Sequence, residues 1–317
     1  MDYKVQVSGE ILELTNLEKE YWPGINKGAL LEYWRLVGPA ALPYLLDRPL
    51  SLLRAPHGKK PFWQKNLPPH APLWLPSFQY HDTCYLIANN LAALLWAVNQ
   101  GAIELHPWAA TAGAPLFPDF AILDLDPMPP WGFDRAREAA FAARNLAGEL
   151  GLTFYPKTSG AEGIHLYLPL ERRYPYNLVT KFMEKFCQVI AQALPSLTTV
   201  ERLVKNRQGQ VYLDYLQNVP TKTIVAPYCP RIREGAPISC PLAWDELADA
   251  EPQDFTITTM PGRIQRKGDL WRGVLEAQNI DQALEKLGIT SDLQLSPHSE
   301  MQDSTVDIPQ SPVPSRP

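Results

Sequence analysis

The sequence predicts a mixed α+β protein with more than one sheet. Apolar strand-like segments alternate irregularly with helical ones, which does not suit an antiparallel-only sandwich. No GxGxxG or GxxxxGKS/T follows a strand candidate, so the dinucleotide-binding and P-loop folds lose their main support. The 317 residues include 32 prolines and 18 glycines, which makes a chain of many turns rather than a helix bundle.

In chain order, Asn26 is the N-cap of a helix running from Lys27 into the forties, with Leu30, Leu31, Trp34 and Leu45 among its apolar positions. Leu50–Arg54 reads as a strand, and residues 88–99 as a buried helix stopped at Gly101. Strands follow at Ile103–His106 and Phe120–Asp124, and Asp134 caps an Ala-rich helix that ends at Gly151. Thr153–Tyr155 and Ile164–Leu168 are strand candidates, and residues 177–193 form an amphipathic helix stopped by Pro195. Val211–Tyr215 and Thr223–Ala226 complete the strands. Near residue 290 the chain turns polar, rich in Pro and Ser and without period. The expected organisation is a domain over 1–290 and a disordered acidic tail or linker stub over 291–317.

Composition narrows the class. Hydrophobic residues are 45% and charged residues 20%, which is ordinary for a soluble globular protein. No apolar run approaches the ~20 residues of a membrane span, and the first residues lack the pattern of a secretory signal. Cys84, Cys187, Cys229 and Cys240 are scattered without a CxxC pair, so neither a zinc knuckle nor a disulfide framework is signalled and a reducing cytoplasm fits. Residues 276–317 hold seven acids against two bases and so carry the whole net charge of −5. The rest of the chain is neutral, and a nucleic-acid partner is not excluded.

The sharpest local signal is Phe120-Ala-Ile-Leu-Asp-Leu-Asp-Pro127. In a strand, residues two apart share a face, so Asp124 and Asp126 project together. Adjacent carboxylates repel unless a cation or a proton lies between them, and oxygen ligands of this kind suit Mg²⁺ or Mn²⁺. A strand running into a turn, with one Asp capping and the other solvated, reads equally well. Asp214, alone among apolar neighbours in Val211-Tyr-Leu-Asp-Tyr-Leu-Gln217, would need a partner, and a shared metal would supply one. Three converging acids would match two-metal phosphoryl chemistry. Between them lies Lys157-Thr-Ser-Gly-Ala-Glu-Gly-Ile-His165, either an ordinary hairpin loop or an anion cradle. As a cradle it would use Ser159, the turn at Gly160 and Gly163, and His165. Arg207, Lys222, Arg231 and Arg233 flank Asp214 in sequence, and as a group they suit a polyphosphate.

Asp124-x-Asp126, Ser159-Gly-x-x-Gly-x-His165 and Asp214, in that order, resemble the three active-site motifs of the archaeo-eukaryotic primase superfamily. More narrowly, GINKGALLEYWRLVGP, PFWQKNLPPHAP, GAIELHPW, LDLDP, KTSGAEGIHLYLPL, VYLDYLQN, TIVAPY and MPGRIQRKGDLW resemble the polymerase domain of bacterial DNA ligase D, over roughly Leu14 to Gly273. The resemblance implies two mixed β-sheets with flanking helices around a central cleft, one module RNA-recognition-motif-like. It implies a template-directed nucleotidyltransferase of end joining that prefers ribonucleoside triphosphates and uses two Mn²⁺ or Mg²⁺ ions. By position, Asp124, Asp126 and Asp214 resemble metal ligands, and His106 an active-site histidine near metal and sugar. Ser159, Gly160, His165, Arg207, Gln217 and Arg231 resemble triphosphate contacts, joined by Lys222 and Arg233. Asn16, Lys19 and Lys27 resemble a pocket for the 5′-phosphate of a broken end, with Lys27 at a helix start whose N–H groups would add to the attraction. Phe62 and Trp63 resemble a pair stacking at the template bend. Double-stranded DNA ends or gaps, nucleoside triphosphates, a separate DNA ligase and Ku are the implied partners, in a cytoplasm where the protein associates with a bacterial or archaeal nucleoid. Two departures stand out: His57 occupies the family's Asp position in Arg54-Ala-Pro56-His57-Gly58, and Trp63 stands where Phe is commoner. A de novo primase and a non-catalytic DNA-end bridging module remain open readings of the same motifs.

Overall fold

The computed structural model describes residues 3–56, 60–129 and 132–289. It opens with two small hairpins, β1 (Tyr3–Val7) with β2 (Glu10–Leu14), then β3 (Glu20–Trp22) with β4 (Ile25–Asn26). The Asn26 side chain accepts from the Ala29 N–H at 2.9 Å and so starts α1 (Lys27–Ala41). Leu30, Leu31, Trp34 and Val37 recur at helical spacing, and that face is buried.

The first sheet holds β5 (Pro49–Arg54), β6 (Phe62–Gln64), β7 (Ser77–Tyr80), β8 (Thr83–Ile87) and β9 (Ala102–Pro107), all antiparallel. β5 is its hub, pairing with β8 at its start, β6 at its end and β9 along its length. Within this half, α2 (Leu91–Asn99) begins three residues later than the apolar run suggests. Asn90 forces the start by accepting from the Ala93 N–H at 2.8 Å.

The second sheet is built from β10 (Phe120–Asp126), α3 (Gly132–Glu149), β11 (Tyr155–Thr158), β12 (Ile164–Pro169), α4 (Tyr176–Ala193), β13 (Thr198–Thr199) and β14 (Val211–Asp214). Its strand order is β11-β12-β10-β14-β13, mixed because β13 runs parallel to β14. Without β13, this is the β-α-β-β-α-β path and strand order of an RNA-recognition-motif-like module. Leu123 and Leu125 are wholly buried, and α3 and α4 both pack on β10. Their alternation leaves Asp124 and Asp126 on the opposite, helix-free face.

Residues 223–242 stitch the sheets together. Thr223 bridges to Trp108 and the Ala226 N–H donates to Leu105 O on the first sheet; Lys157 bridges to Pro241 and the Thr158 N–H donates to Cys240 O on the second. The strand expected at Thr223–Ala226 is therefore a single bridge, because prolines at 220, 227 and 230 deny the segment a ladder. Short helices α5 (Trp244–Leu247), α6 (Met260–Lys267) and α7 (Asp281–Lys286) complete the described chain.

Two further expectations shift. The strand placed at Thr153–Tyr155 begins at Tyr155, because Thr153 exchanges hydrogen bonds with the Gln278 side chain instead of a neighbouring strand. Asp134 does not cap α3; it lies in the first turn, 2.6 Å from Arg137 Nη1. The four cysteines are free, and no described helix is long and apolar enough to cross a membrane. The tail at 291–317 and His57 lie outside the described residues.

Candidate active site

Strand register assembles the site. Lys157 on β11 pairs with His165 on β12, His165 with Asp124 on β10, and Asp124 with Asp214 on β14. Direct partners share a face, so these four form one row across the sheet, with Asp126 two residues beyond Asp124 on that face. Asp124 Oδ1 lies 3.4 Å from His165 Nε2. Burial, then Asp214 and Asp126, push the Asp124 carboxyl up to about 7, against the pull of Lys157 and Arg231. About a quarter of its side chain (23%) still reaches solvent.

Each of the other acids has partners of its own. Asp126 Oδ2 lies 3.0 Å from Arg207 Nη1, and Arg207 is held by Glu201 O and Arg202 O over the Tyr212 ring. Asp214 accepts from the Leu216 N–H at 2.9 Å and from Tyr212 Oη and Gln217 Nε2 at 3.3 Å. Gln217 thus reaches the carboxylate of Asp214. Among the described residues, no three His, Cys, Asp or Glu side chains converge closely enough to hold a metal ion as they stand. The donor chemistry nevertheless suits a hard divalent cation. Asp124, Asp126 and Asp214 offer oxygen donors, and the repulsion of Asp124 by the other two is what a cation relieves.

Beside the row, the Ser159 N–H donates to Gly163 O, and Ser159 Oγ accepts from the Ala161 and Gly163 N–H groups at 3.1 Å. Both glycines are sterically required. Gly160 has φ +72°, and a Cβ there would lie 2.5 Å from Arg231 Cγ. A Cβ on Gly163 would lie 2.6 Å from Leu125 O on β10. Arg231 Nη1 donates to Ser159 O at 2.6 Å, bracing the loop, whereas Lys222 and Arg233 are exposed.

Lys157, absent from the sequence-derived site, is wholly buried. Its Nζ lies 2.7 Å from His165 Nδ1 and bonds Ser239 Oγ. Burial, then Arg231, hold this amine well below its ordinary range, and burial, then Lys157, do the same to His165. On β9 of the first sheet His106, 8% exposed, meets Glu104 Oε2 at 2.9 Å and the Trp63 ring at 4.7 Å between centroids. Burial lowers His106, with Glu104 opposing.

Of the residues expected to meet DNA, Asn16, Lys19 and Lys27 lie around the start of α1. Lys27 Nζ and Asn16 Nδ2 both reach Thr15, and Lys19 Nζ bonds Ala55 O. Burial, then the charge of Lys19, push Lys27 down to about 8. The free helix-start N–H groups expected here are already taken: Lys27 N–H by Lys19 O, Gly28 N–H by Leu17 O and Ala29 N–H by Asn26. Any anion would therefore be held by side-chain charge. Phe62 and Trp63 are 39% and 55% exposed on β6, with the Arg54 guanidinium 5.8 Å from the Phe62 ring.

A row of Lys157, His165, Asp124 and Asp214 on an RNA-recognition-motif-like sheet, with Asp126, the Ser159–Gly163 loop and Arg231 beside it, fits a primase-polymerase, a class of nucleotidyltransferase. The comparisons make the class specific, since the LigD primase-polymerase domain family matches residues 26–271 and the chain belongs to it. It is 35% identical over 263 residues to the bifunctional non-homologous end joining protein LigD of Bacillus subtilis, covering 81% of this chain and 43% of the relative. It is 34% identical over 249 residues to the multifunctional non-homologous end joining protein LigD of Pseudomonas aeruginosa, covering 75% and 29%. The polymerase domain of Mycobacterium tuberculosis ligase D, solved in complex with DNA, matches with TM-score 0.78 and 32% identity, covering 84% of this chain and 99% of that one. The chain thus spans less than half the length of these curated relatives.

Proposed function

We propose that this chain extends or fills DNA ends during non-homologous end joining, adding nucleotides to a primer in a template-directed, metal-dependent reaction. The observation that carries the reading is the Lys157–His165–Asp124–Asp214 row, with the Ser159 loop and Arg231 beside it. Asp124 and Asp214, with Asp126, would hold two Mn²⁺ or Mg²⁺ ions, which supply activation of the attacking hydroxyl and neutralisation of the leaving group.

The protein's own part is placement. Ser159, Gly160 and His165 cradle the triphosphate, and Arg207 and Arg231 neutralise its oxygens. Gln217 steadies Asp214, and Lys222 and Arg233 extend the positive field outward. The primer 3′-oxygen attacks the α-phosphorus, its proton passes to solvent, and pyrophosphate leaves. His106 faces the sugar, and a preference for ribonucleoside triphosphates follows from that contact. Phe62 and Trp63 stack at the template bend, while Asn16, Lys19 and Lys27 grip a 5′-phosphate. A separate DNA ligase and Ku are the partners of this reading, acting in the cytoplasm.

A gapped duplex with a 5′-phosphate, offered ribo- and deoxyribonucleotides with Mn²⁺ or Mg²⁺, tests it. The proposal expects gap filling that fails in Asp214→Ala. Synthesis on template without primer would make the chain a de novo primase. DNA-end binding with no incorporation under any condition would leave a bridging module.

A further inference from the structure

We infer that Glu104 is a positioning residue for this site: it fixes which nitrogen of His106 carries the proton and ties Arg231, the brace of the phosphate loop, to the opposite sheet. The kinetic arm of the inference rests on the polymerase reading above; the structural arm stands without it. Glu104 is 2% exposed on β9, in a row with Leu53 and Trp63, two residues before His106. One carboxylate oxygen accepts from the Ile232 N–H at 2.9 Å, and the other lies 2.9 Å from His106 Nε2 and 3.0 Å from Arg231 Nε. Burial raises this carboxyl, but His106, Arg231 and the Ile232 N–H together outweigh it and hold it below its ordinary range. Glu104 is therefore an acceptor only.

An acceptor-only partner obliges His106 to carry its proton on Nε2, and the neutral ring then keeps Nδ1 as a bare acceptor. The Trp63 ring, edge-on at 4.7 Å, restrains rotation that would undo this. A bare acceptor suits a group that donates, such as a sugar hydroxyl, and rejects a phosphate oxygen. The second arm of Glu104 runs through Arg231, whose Nη1 donates to Ser159 O at 2.6 Å. One buried carboxylate thus connects the sugar-facing histidine to the phosphate-facing loop. Partners that orient such groups typically change activity by about 10- to 100-fold when replaced.

The experiment compares wild type, Glu104→Gln and Glu104→Asp. Imidazole ¹⁵N spectra of the unliganded protein, with His106 assigned from a His106→Asn control, should show a protonated Nε2 in wild type and a shifted or mixed tautomer in Glu104→Gln. In gap filling, Glu104→Gln should raise KM for the nucleotide and lower kcat, by about 10- to 100-fold together. Affinity for a 5′-phosphorylated gap should not change, and Glu104→Asp should recover the wild-type tautomer and part of kcat. A wild-type His106 protonated on Nδ1, or wild-type kcat and KM in Glu104→Gln, overturns the inference. So does an equal loss of end binding and activity, since that marks a residue needed only for the fold. If Glu104→Gln does not fold, Glu104→Asp and the wild-type spectrum decide alone. A wild type that extends no primer defeats the polymerase reading, while the tautomer measurement still judges Glu104.

Discussion

In the second sheet, ionisable residues stand opposite one another on four adjacent strands, Lys157 and His165 buried and Asp124 and Asp214 partly so, all fixed by ladder register. At the corner where α1 begins, Asn16, Lys19 and Lys27 come from a turn, a hairpin approach and a helix start, the two lysines bonded to backbone carbonyls and Asn16 to the Thr15 hydroxyl. In the first region Asp124 faces Asp214 and Asp126, a repulsion that a cation would relieve. The second spends its backbone N–H groups internally and offers only side-chain charge. On the proposed reading, chemistry belongs to the region held by strand register, and recognition of an end to the region where charge is screened by salt and tuned by pH.

The largest break in this comparison comes from the row. Asp124→Ala or Asp214→Ala should reduce primer extension by ~10³-fold or more, equivalent to about 4 kcal/mol of lost transition-state stabilisation. Gel-shift affinity for DNA should hold or tighten slightly, because negative charge is removed. Equal loss of binding and turnover would instead mean that the acids support the fold. Next in size, Arg231→Ala removes a charge-assisted contact and the brace on Ser159, and should raise KM for the nucleotide by roughly 10- to 100-fold. Steady-state kinetics with unchanged KM would remove Arg231 from the nucleotide site.

The corner should respond more gently. Lys19→Ala with Lys27→Ala should erase an approximately tenfold preference for a 5′-phosphate end over a 5′-hydroxyl end, yet spare extension on a simple primer–template. That preference should shrink with salt. It should also fall as pH rises through about 8, because the buried Lys27 amine then loses its charge. A preference independent of pH between 7 and 9 would take Lys27 out of the pocket. Smallest of all, Asn90→Ala removes the cap at the start of α2, the opposite end of that helix from Asn99, which bonds Thr15, and should cost about 1 kcal/mol of stability in a denaturant titration without altering either activity.

What could be read from the sequence follows the same division. Alternation in Phe120–Asp126 puts both acids on one face, and the Asn26 cap places α1, because both are local rules. Lys157 and Glu104 escaped because their importance comes from partners: His165 across a strand pair for one, and Arg231, 127 residues away, for the other. No local pattern announces a buried charge whose partner is distant in the chain. The helix-start N–H groups misled for the same reason, since the carbonyls of Leu17 and Lys19 that occupy them are placed by the hairpin fold. Thr223–Ala226 has strand composition, but the prolines around it leave only a bridge and one further bond to the first sheet.

Burial and the neighbouring Asp214 and Asp126 carboxylates hold Asp124 back from full ionisation, and a divalent cation joining it should release its proton. The direct measurement is a Mn²⁺ titration of the nucleotide-free protein by calorimetry at pH 6.5 and 7.5, in buffers of different ionisation enthalpy, to count protons released. With the Asp124 carboxyl near 7, binding should release a substantial fraction of a proton at pH 6.5 and less at 7.5, and Asp124→Asn should abolish both binding and release. Mn²⁺ bound with no proton release at either pH, or bound equally well by Asp124→Asn, would contradict the account.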